Sequence, residues 1–337
     1  MSIRISKSTI LLDTKPSVLS YAAIVGKKEG EGPLARHFDV ICDDTTLGEE
    51  TWEKAESQMQ KNAVSKALEK AKLSSADLEL LFAGDLLNQC ISSSYGLRDL
   101  QVPFYGLYGA CSTMAESLGL ISIFADNQLV TYGAAVTSSH FCTAERQFRQ
   151  PLEYGGQRAP TAQWTVTGSG AVIVGQSNKP PYVKAVTIGK IVDLGVKDIN
   201  NMGAAMAPAA ADTIGTYLKD TKTNPGDYDL ILTGDLGTVG SDLLIDLLKH
   251  DQIDISQVHN DCGKLIYDLE SQDVHAGGSG CGCAASVLCA YILKRISEGV
   301  LKNVLFVATG ALMSTTSFQQ GESIPGIAHL VHLSDHK

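Results

Sequence analysis

The order strand, helix, strand occurs twice in this chain, in register, and that repetition constrains its fold more than any other feature. The stretches DLELLFAGDLLNQ (77–89) and DYDLILTGDLGTV (227–239) both run from acidic residues into an apolar strand and end in Gly-Asp-Leu. Gly84-Asp85-Leu86 and Gly234-Asp235-Leu236 lie 150 positions apart. GACSTMAESLGLISIFADN (109–127) then has its counterpart in CGCAASVLCAYILKRISEG (281–299), with Cys111 over Cys283 at an offset of 172. The strands GAAVTSS (133–139) and LFVATGA (305–311) keep that offset, so the second copy carries an insertion of 22 residues. One match between short apolar runs is cheap, but three in register are not.

Apolar residues at three- and four-residue spacing predict helices over 50–72, 111–126, 207–219, 240–250 and 283–298. Runs rich in Val, Ile, Leu and aromatics predict strands over 17–25, 79–84, 103–108, 130–137, 170–175, 182–190, 228–233, 303–309 and 327–333. This alternation predicts an α/β architecture with largely parallel sheets. It divides the chain into related halves, 1–178 and 179–337, each contributing one sheet and meeting near 176–182. Ligands in open α/β sheets collect at the carboxyl ends of strands, where both repeated motifs sit. Residues 140–167 resist assignment: three arginines, a Gly-Gly and Phe141, Phe148, Tyr154 and Trp164 point to an ordered flap or interface arm.

Composition narrows the function. Of 337 residues 44 % are hydrophobic and 19 % charged, as in ordinary globular proteins. No apolar run reaches the ~18–20 residues that span a bilayer. MSIRISKSTILLDTK lacks the apolar core and cleavage site of a signal peptide, so synthesis in a cytoplasm is expected. The net charge of −10 without a basic block argues against nucleic acid. Eight cysteines form no CxxC pair, and His259 with Cys262 in HNDCG supplies only two of the four ligands zinc needs, so no metal or other cofactor is expected.

Cys111 is the residue on which chemistry turns. It follows a strand and opens a helix, where the helix dipole favours thiolate. Its role as nucleophile, pocket floor or buried thiol is open from these residues alone. Backbone N–H groups of HAGGSGCG (Gly278 and Gly280 among them) and of the turn TGAL (Thr309, Gly310) suit carboxylate oxygens. Asn88, Ser138, Ser139 and Thr309 can add side-chain hydrogen bonds, and Arg146, Arg149 or Arg158 a bidentate contact. His140, ending the strand AAVTSSH, and His275 are the histidines that motif context places near the thiol.

Cysteine at a helix start, two tandem βα halves and a glycine-rich turn opening the second helix together resemble the thiolase-like superfamily. The ordered runs GDLLNQ, GACSTM, TSSH, TAERQFR, EYGGQ, TVTGSGAV, MAPAAADTI, YDLILTGDL, GGSGCGC and VATGALMS, over 83–314, resemble the stage V sporulation protein AD family. The superfamily implies a layered αβαβα fold and a homodimer through the first-half sheets. Its condensing enzymes pair the cysteine with a His and a second His or Asn. By motif those positions hold Asp235 and Cys281 here. A carboxylate beside the thiol raises its pKa, so acyl transfer loses its base. The family resemblance implies a non-catalytic protein that binds dipicolinic acid (pyridine-2,6-dicarboxylate) and its calcium chelate for uptake into the developing spore. It also implies a peripheral place on the spore inner membrane, with integral membrane partners of the same operon. A divergent acyltransferase using Cys111 is the alternative.

Overall fold

The computed structural model describes residues 2–148 and 158–337. Ten strands carry the fold. The first half supplies β1 (Ser17–Gly26), β2 (Leu80–Gly84), β3 (Phe104–Gly106), β4 (Tyr132–Ser139) and β5 (Gly168–Gly175). The second supplies β6 (Tyr182–Thr187), β7 (Leu230–Thr233), β8 (His259–Asp261), β9 (Asn303–Ala311) and β10 (Gly326–Ser334). They line up as β3-β2-β4-β5-β1 and β8-β7-β9-β10-β6, the same order twice. The two arrays join by one antiparallel pairing, Ser17 to Tyr182.

The arrays are mixed rather than largely parallel. In each, two neighbouring pairs are parallel and two antiparallel. The parallel pairs are those connected through helices; β5 and β10 return against β4 and β9 without one packed as a crossover, and so run antiparallel.

Helices complete the layers: α1 (Trp52–Ala71), α2 (Thr113–Asp126), α3 (Phe141–Phe148), α4 (Met202–Thr221) and α5 (Gly237–His250). The last, α6, starts as Cys281–Val287, loosens into a π-turn over Leu288–Ile292 and ends as Leu293–Ser297. Thr51 caps α1 by accepting from the Lys54 N–H, and Asn201 caps α4 by accepting from the Ala204 N–H. The equivalent helices α2 and α6 lie between the arrays in one apolar core, with Met114, Leu118, Ile121, Val287 and Leu288 buried among strand residues of both halves. Helix α1 closes the outer face of the first array, and α4 with α5 that of the second. The result is the expected αβαβα layering. Most of the inserted residues of the second copy lie within 262–280, between β8 and α6; the β7–β8 connection is only slightly longer than its counterpart and carries the fourteen-residue α5 where the first copy has the seven-residue helix Ile91–Leu97.

The 140–167 segment is more regular than a flap. Its first part is α3, and Trp164–Thr165 pairs in parallel with Gly278–Ser279. Trp164 stacks on Phe141 at 4.1 Å, with Arg158 4.8 Å and Lys28 4.2 Å from the indole centre. Aromatic pairing and cation–π attraction supply the order that propensity alone does not. Tyr154 and Arg149 lie outside the described residues.

One buried polar cluster ties α1 to α3. Glu56 accepts from Ser138 Oγ at 3.0 Å and from Thr143 Oγ1 at 2.7 Å. Asp85, beside it, accepts from the Leu87 and Ser93 N–H groups at 2.9 and 2.8 Å and from Ser93 Oγ at 2.6 Å. Burial, then the neighbouring Asp85 charge, pushes Glu56 up to about 8. Two carboxylates this close do not both ionise, so Glu56 keeps its proton at neutral pH. The folded state then binds a proton that the unfolded chain releases above its ordinary value near 4.5. This contribution to stability is complete below pH ~4.5 and is lost as pH rises toward 8. Denaturant melts between pH 5 and 8 should therefore show stability falling, and Glu56→Gln should flatten that slope; an unchanged slope in the variant would contradict the assignment.

Candidate functional site

Cys111 sits on a tight turn between β3 and α2. Ala110, just before it, has a left-handed φ of 49°, a conformation that costs a residue with a Cβ and persists only where its surroundings fix it. Three local bonds do so: Thr113 Oγ1 donates to the Ala110 carbonyl at 2.7 Å, the Gly109 N–H donates to Thr113 Oγ1 at 3.1 Å, and Ser112 Oγ donates to the Gly109 carbonyl at 2.6 Å. Gly310 of β9 lies directly against the turn; a Cβ there would stand 2.4 Å from the Gly109 oxygen.

The sulfur faces a carboxylate. Asp235, just past β7, is fully buried, and its charge acts on the Cys111 thiol. It accepts from the Gly280 N–H at 2.9 Å, Thr309 Oγ1 at 2.8 Å and Ser279 Oγ at 3.1 Å. Gly280 reaches this position at a φ of 105°, where a Cβ would stand 2.6 Å from Ser139 Oγ. A side chain at either place would break the arrangement.

Burial pushes the Cys111 thiol well above its ordinary value, and Asp235 then Cys281 push it further. Of the two opposing effects read from the sequence, the carboxylate's prevails over the helix dipole's. The helix begins two residues later, at Thr113, and the sulfur lies in an apolar cluster with Leu86, Ala144, Cys281 and Phe148. Desolvation and a facing carboxylate outweigh a partial dipole charge. Asp235 is itself raised by burial, against the lowering effect of the Gly280 N–H, the Cys111 thiol and two hydroxyls.

The glycine-loop donors expected to meet a ligand are already engaged. The Gly280 N–H and the Thr309 hydroxyl go to Asp235, and Gly278 lies in the short strand paired with Trp164. Cys281 donates its thiol to the Ser138 carbonyl at 3.0 Å. Ser139 donates to the Val166 carbonyl and accepts from the Gly282 N–H, which places it behind the cleft. His140 is buried and does not approach Cys111: its Nε2 pairs with the Thr45 carbonyl at 2.9 Å and its Nδ1 accepts from the Cys142 N–H. Burial lowers its pKa. His275 stands beside Asp273 at 3.7 Å. Among the described residues lining the cleft there is no histidine.

The cleft over Cys111 has a volume of about 40 Å³ and is walled by Leu86, Ala144, Phe148, Met202 and Met313, with Glu145, Thr165 and Ser279 as its polar side chains. Small-molecule pockets usually hold ~300–1,000 Å³. A guest therefore enters by displacing walls, and unbranched Met202 and Met313 suit that. Arg158 is the nearby cation. It pairs with Glu145 at 2.9 Å and donates to the Gln163 carbonyl at 2.7 Å.

Helix α3 has two working faces. Ala144, Glu145 and Phe148 face the cleft, whereas Arg146 and Gln147 line an outer surface groove with Asn88. Arg146 forms an ion pair with Glu53 and lies over the Trp52 ring at 5.7 Å. Asn88 and Gln147 exchange hydrogen bonds at 3.3 and 3.2 Å. Both expected ligand residues thus line the outer groove, Arg146 because helical spacing puts neighbours 145 and 146 on different faces and Asn88 because it pairs with Gln147 there. The spacing Phe141, Ala144, Glu145, Phe148 could have identified the inner face. Met202 and Met313, far along the chain, gave no local signal. Among the described residues, no cluster of His, Cys, Asp or Glu suits a metal ion.

This arrangement of layers is the thiolase-like fold. The chain superposes on 3-oxoacyl-[acyl-carrier-protein] synthase III from Aquifex aeolicus VF5 with a TM-score of 0.58, 14 % identity and coverage of 95 % of this chain and 99 % of that one. Against cerulenin-bound OleA from Xanthomonas campestris the TM-score is 0.61, with 14 % identity and coverage of 96 % and 97 %. The sequence profile of Stage V sporulation protein AD (SpoVAD) matches residues 6–334. The Bacillus subtilis (strain 168) protein of that name is 48 % identical over 323 residues, 96 % of this chain and 95 % of the relative. The chain belongs to the stage V sporulation protein AD family.

A buried thiol with a raised pKa should alkylate slowly. In the native protein, iodoacetamide should modify Cys111 more slowly than a model thiol at pH 8. Asp235→Asn, which removes the opposing charge, should speed modification by about tenfold for each pH unit that the thiol pKa falls. Mass mapping of Cys111 at timed quenches reads both rates, and equal rates in the two proteins would refute the opposing-charge account.

Proposed function

We propose that this protein binds dipicolinate, free or as its calcium chelate, without transforming it, and serves its uptake into the developing spore. One observation carries the non-catalytic part: among the described residues lining the cleft no imidazole faces Cys111, and burial with the Asp235 charge holds its thiol pKa well up, where acyl transfer needs a base to take its proton. A carboxylate opposite the sulfur also opposes the oxyanion that acyl transfer develops. Membership of a sporulation family supports the biological setting. The apolar walls suit a flat ring, and Arg158, once drawn from Glu145, suits a ligand carboxylate.

The reading includes a peripheral place on the spore inner membrane beside integral partners. Among the described residues, no helix is long and apolar enough to cross a membrane. It also includes a homodimer. Strand β3 ends the first array with Phe104 38 % and Tyr105 57 % exposed, and Tyr108 follows at 44 %. Such an edge suits pairing with a second copy.

Isothermal titration with dipicolinate, with and without calcium, should give saturable heat and a raised melting temperature; neither at millimolar ligand would sink the proposal. Cys111→Trp should abolish that heat by filling the cleft, and Cys111→Ala should leave most of it. Incubation with an acyl-CoA should leave Cys111 without an acyl adduct by mass spectrometry, whereas the acyltransferase alternative requires one. Light scattering should give a dimer mass that Tyr105→Lys halves.

A further inference from the structure

An exposed strip of branched aliphatic side chains runs along one end of the molecule. Ile188 closes β6 at 42 % exposure, and Ile191 and Leu194 follow at 63 % and 68 %. Leu194 occupies the apex of a turn, where Asp193 Oδ1 accepts from the Gly195 N–H at 2.8 Å and Gly195 has a φ of 81°. Turn apices ordinarily carry polar residues or glycine. The apex projects: a Cβ on Gly195 would meet nothing within 4 Å. Beside it lies the hairpin Ile3–Arg4 with Thr9–Leu11, joined through the Ile188 N–H donating to the Ser8 carbonyl at 2.9 Å. That hairpin adds exposed Ile3 and Ile5. Its cations, Arg4 and Lys7, form no ion pair among the described residues; Arg4 donates only to the Ser6 and Lys7 carbonyls.

We propose that this strip is the surface by which the protein docks on an anionic phospholipid bilayer. The inference rests on the peripheral-membrane reading above and gives it a face. A projecting aliphatic apex fits a deformable apolar medium better than a rigid protein groove, and unpaired cations beside it match anionic head groups on a chain whose net charge is −10. Position supports it as well. Val192 bridges to Gly326, and Gly326 pairs with Ala311, a wall of the Cys111 cleft. The apex of the strip therefore lies at the same end of the strands as the cleft.

The full-length protein should co-sediment with phosphatidylcholine vesicles containing roughly 30 % phosphatidylglycerol and remain in the supernatant with phosphatidylcholine alone. The double variant Ile191→Asp/Leu194→Asp should lower the bound fraction about tenfold, and Arg4→Glu/Lys7→Glu should remove the preference for anionic lipid. Both variants should keep the parent's melting temperature and dipicolinate heat, which separates docking from folding and from ligand binding. A parent that ignores both vesicle types would give the face to a protein partner or to none and overturn the proposal. Equal partition onto both vesicle types would overturn the anionic assignment, and parent-like sedimentation of the aspartate variant would overturn the strip. Vesicle binding without dipicolinate heat would instead count against the ligand reading alone.

Discussion

The buried carboxylate of Asp235 organises the centre of this molecule. It draws together the end of β7, the glycine turn before α6, Thr309 of β9 and the turn that carries Cys111, four pieces of chain from both halves. A buried acid is costly unless its oxygens are satisfied, and here two hydroxyls and one N–H satisfy them. The same acid bears on the chemistry. A thiol kept protonated by burial and a facing negative charge is poorly placed to attack anything, however well its turn is presented.

The duplicated order of strands explains how such a centre arises. Each array ends its parallel strands at the same end of the molecule, so the loops after β2, β4, β7 and β9 converge there. The halves are not equivalent in what they deliver. The first supplies the cysteine turn and α3, while the second supplies the acid that answers the sulfur. Asp85 matches Asp235 in sequence but stays within its own half, holding the Ser93 N–H and sitting against Glu56. One repeated motif thus serves two structural ends.

Much of the fold was legible because repetition and periodicity are local signals. The strand runs of both halves and helices such as 52–71 fall within a few residues of where the apolar spacing puts them. The antiparallel return of β5 and β10 was not legible, since strand direction depends on connections rather than on side-chain pattern. Within the site, Cys111, Asp235, Gly280 and Thr309 were identified from motif position and do converge. Arg146 was misplaced because a segment read as a loop is a helix, which assigns adjacent residues to different sides, and Asn88 because its turn after β2 faces Gln147 on the outer groove. The raised thiol pKa was read from the Asp235 motif position, but its largest cause was not. A dipole can be read from sequence, whereas the desolvation that opposes it belongs to the packed interior.

The two-faced helix α3 has a mechanical corollary. It is eight residues long and moves as a short rod, pinned at Thr143 to a neutral Glu56. Phe148 cannot swing outward with the backbone without carrying Arg146 and Gln147 along. Enlargement of the inner chamber is thereby written on the outer skin of the protein, where the Trp52 indole offers a natural optical reporter of events it never touches.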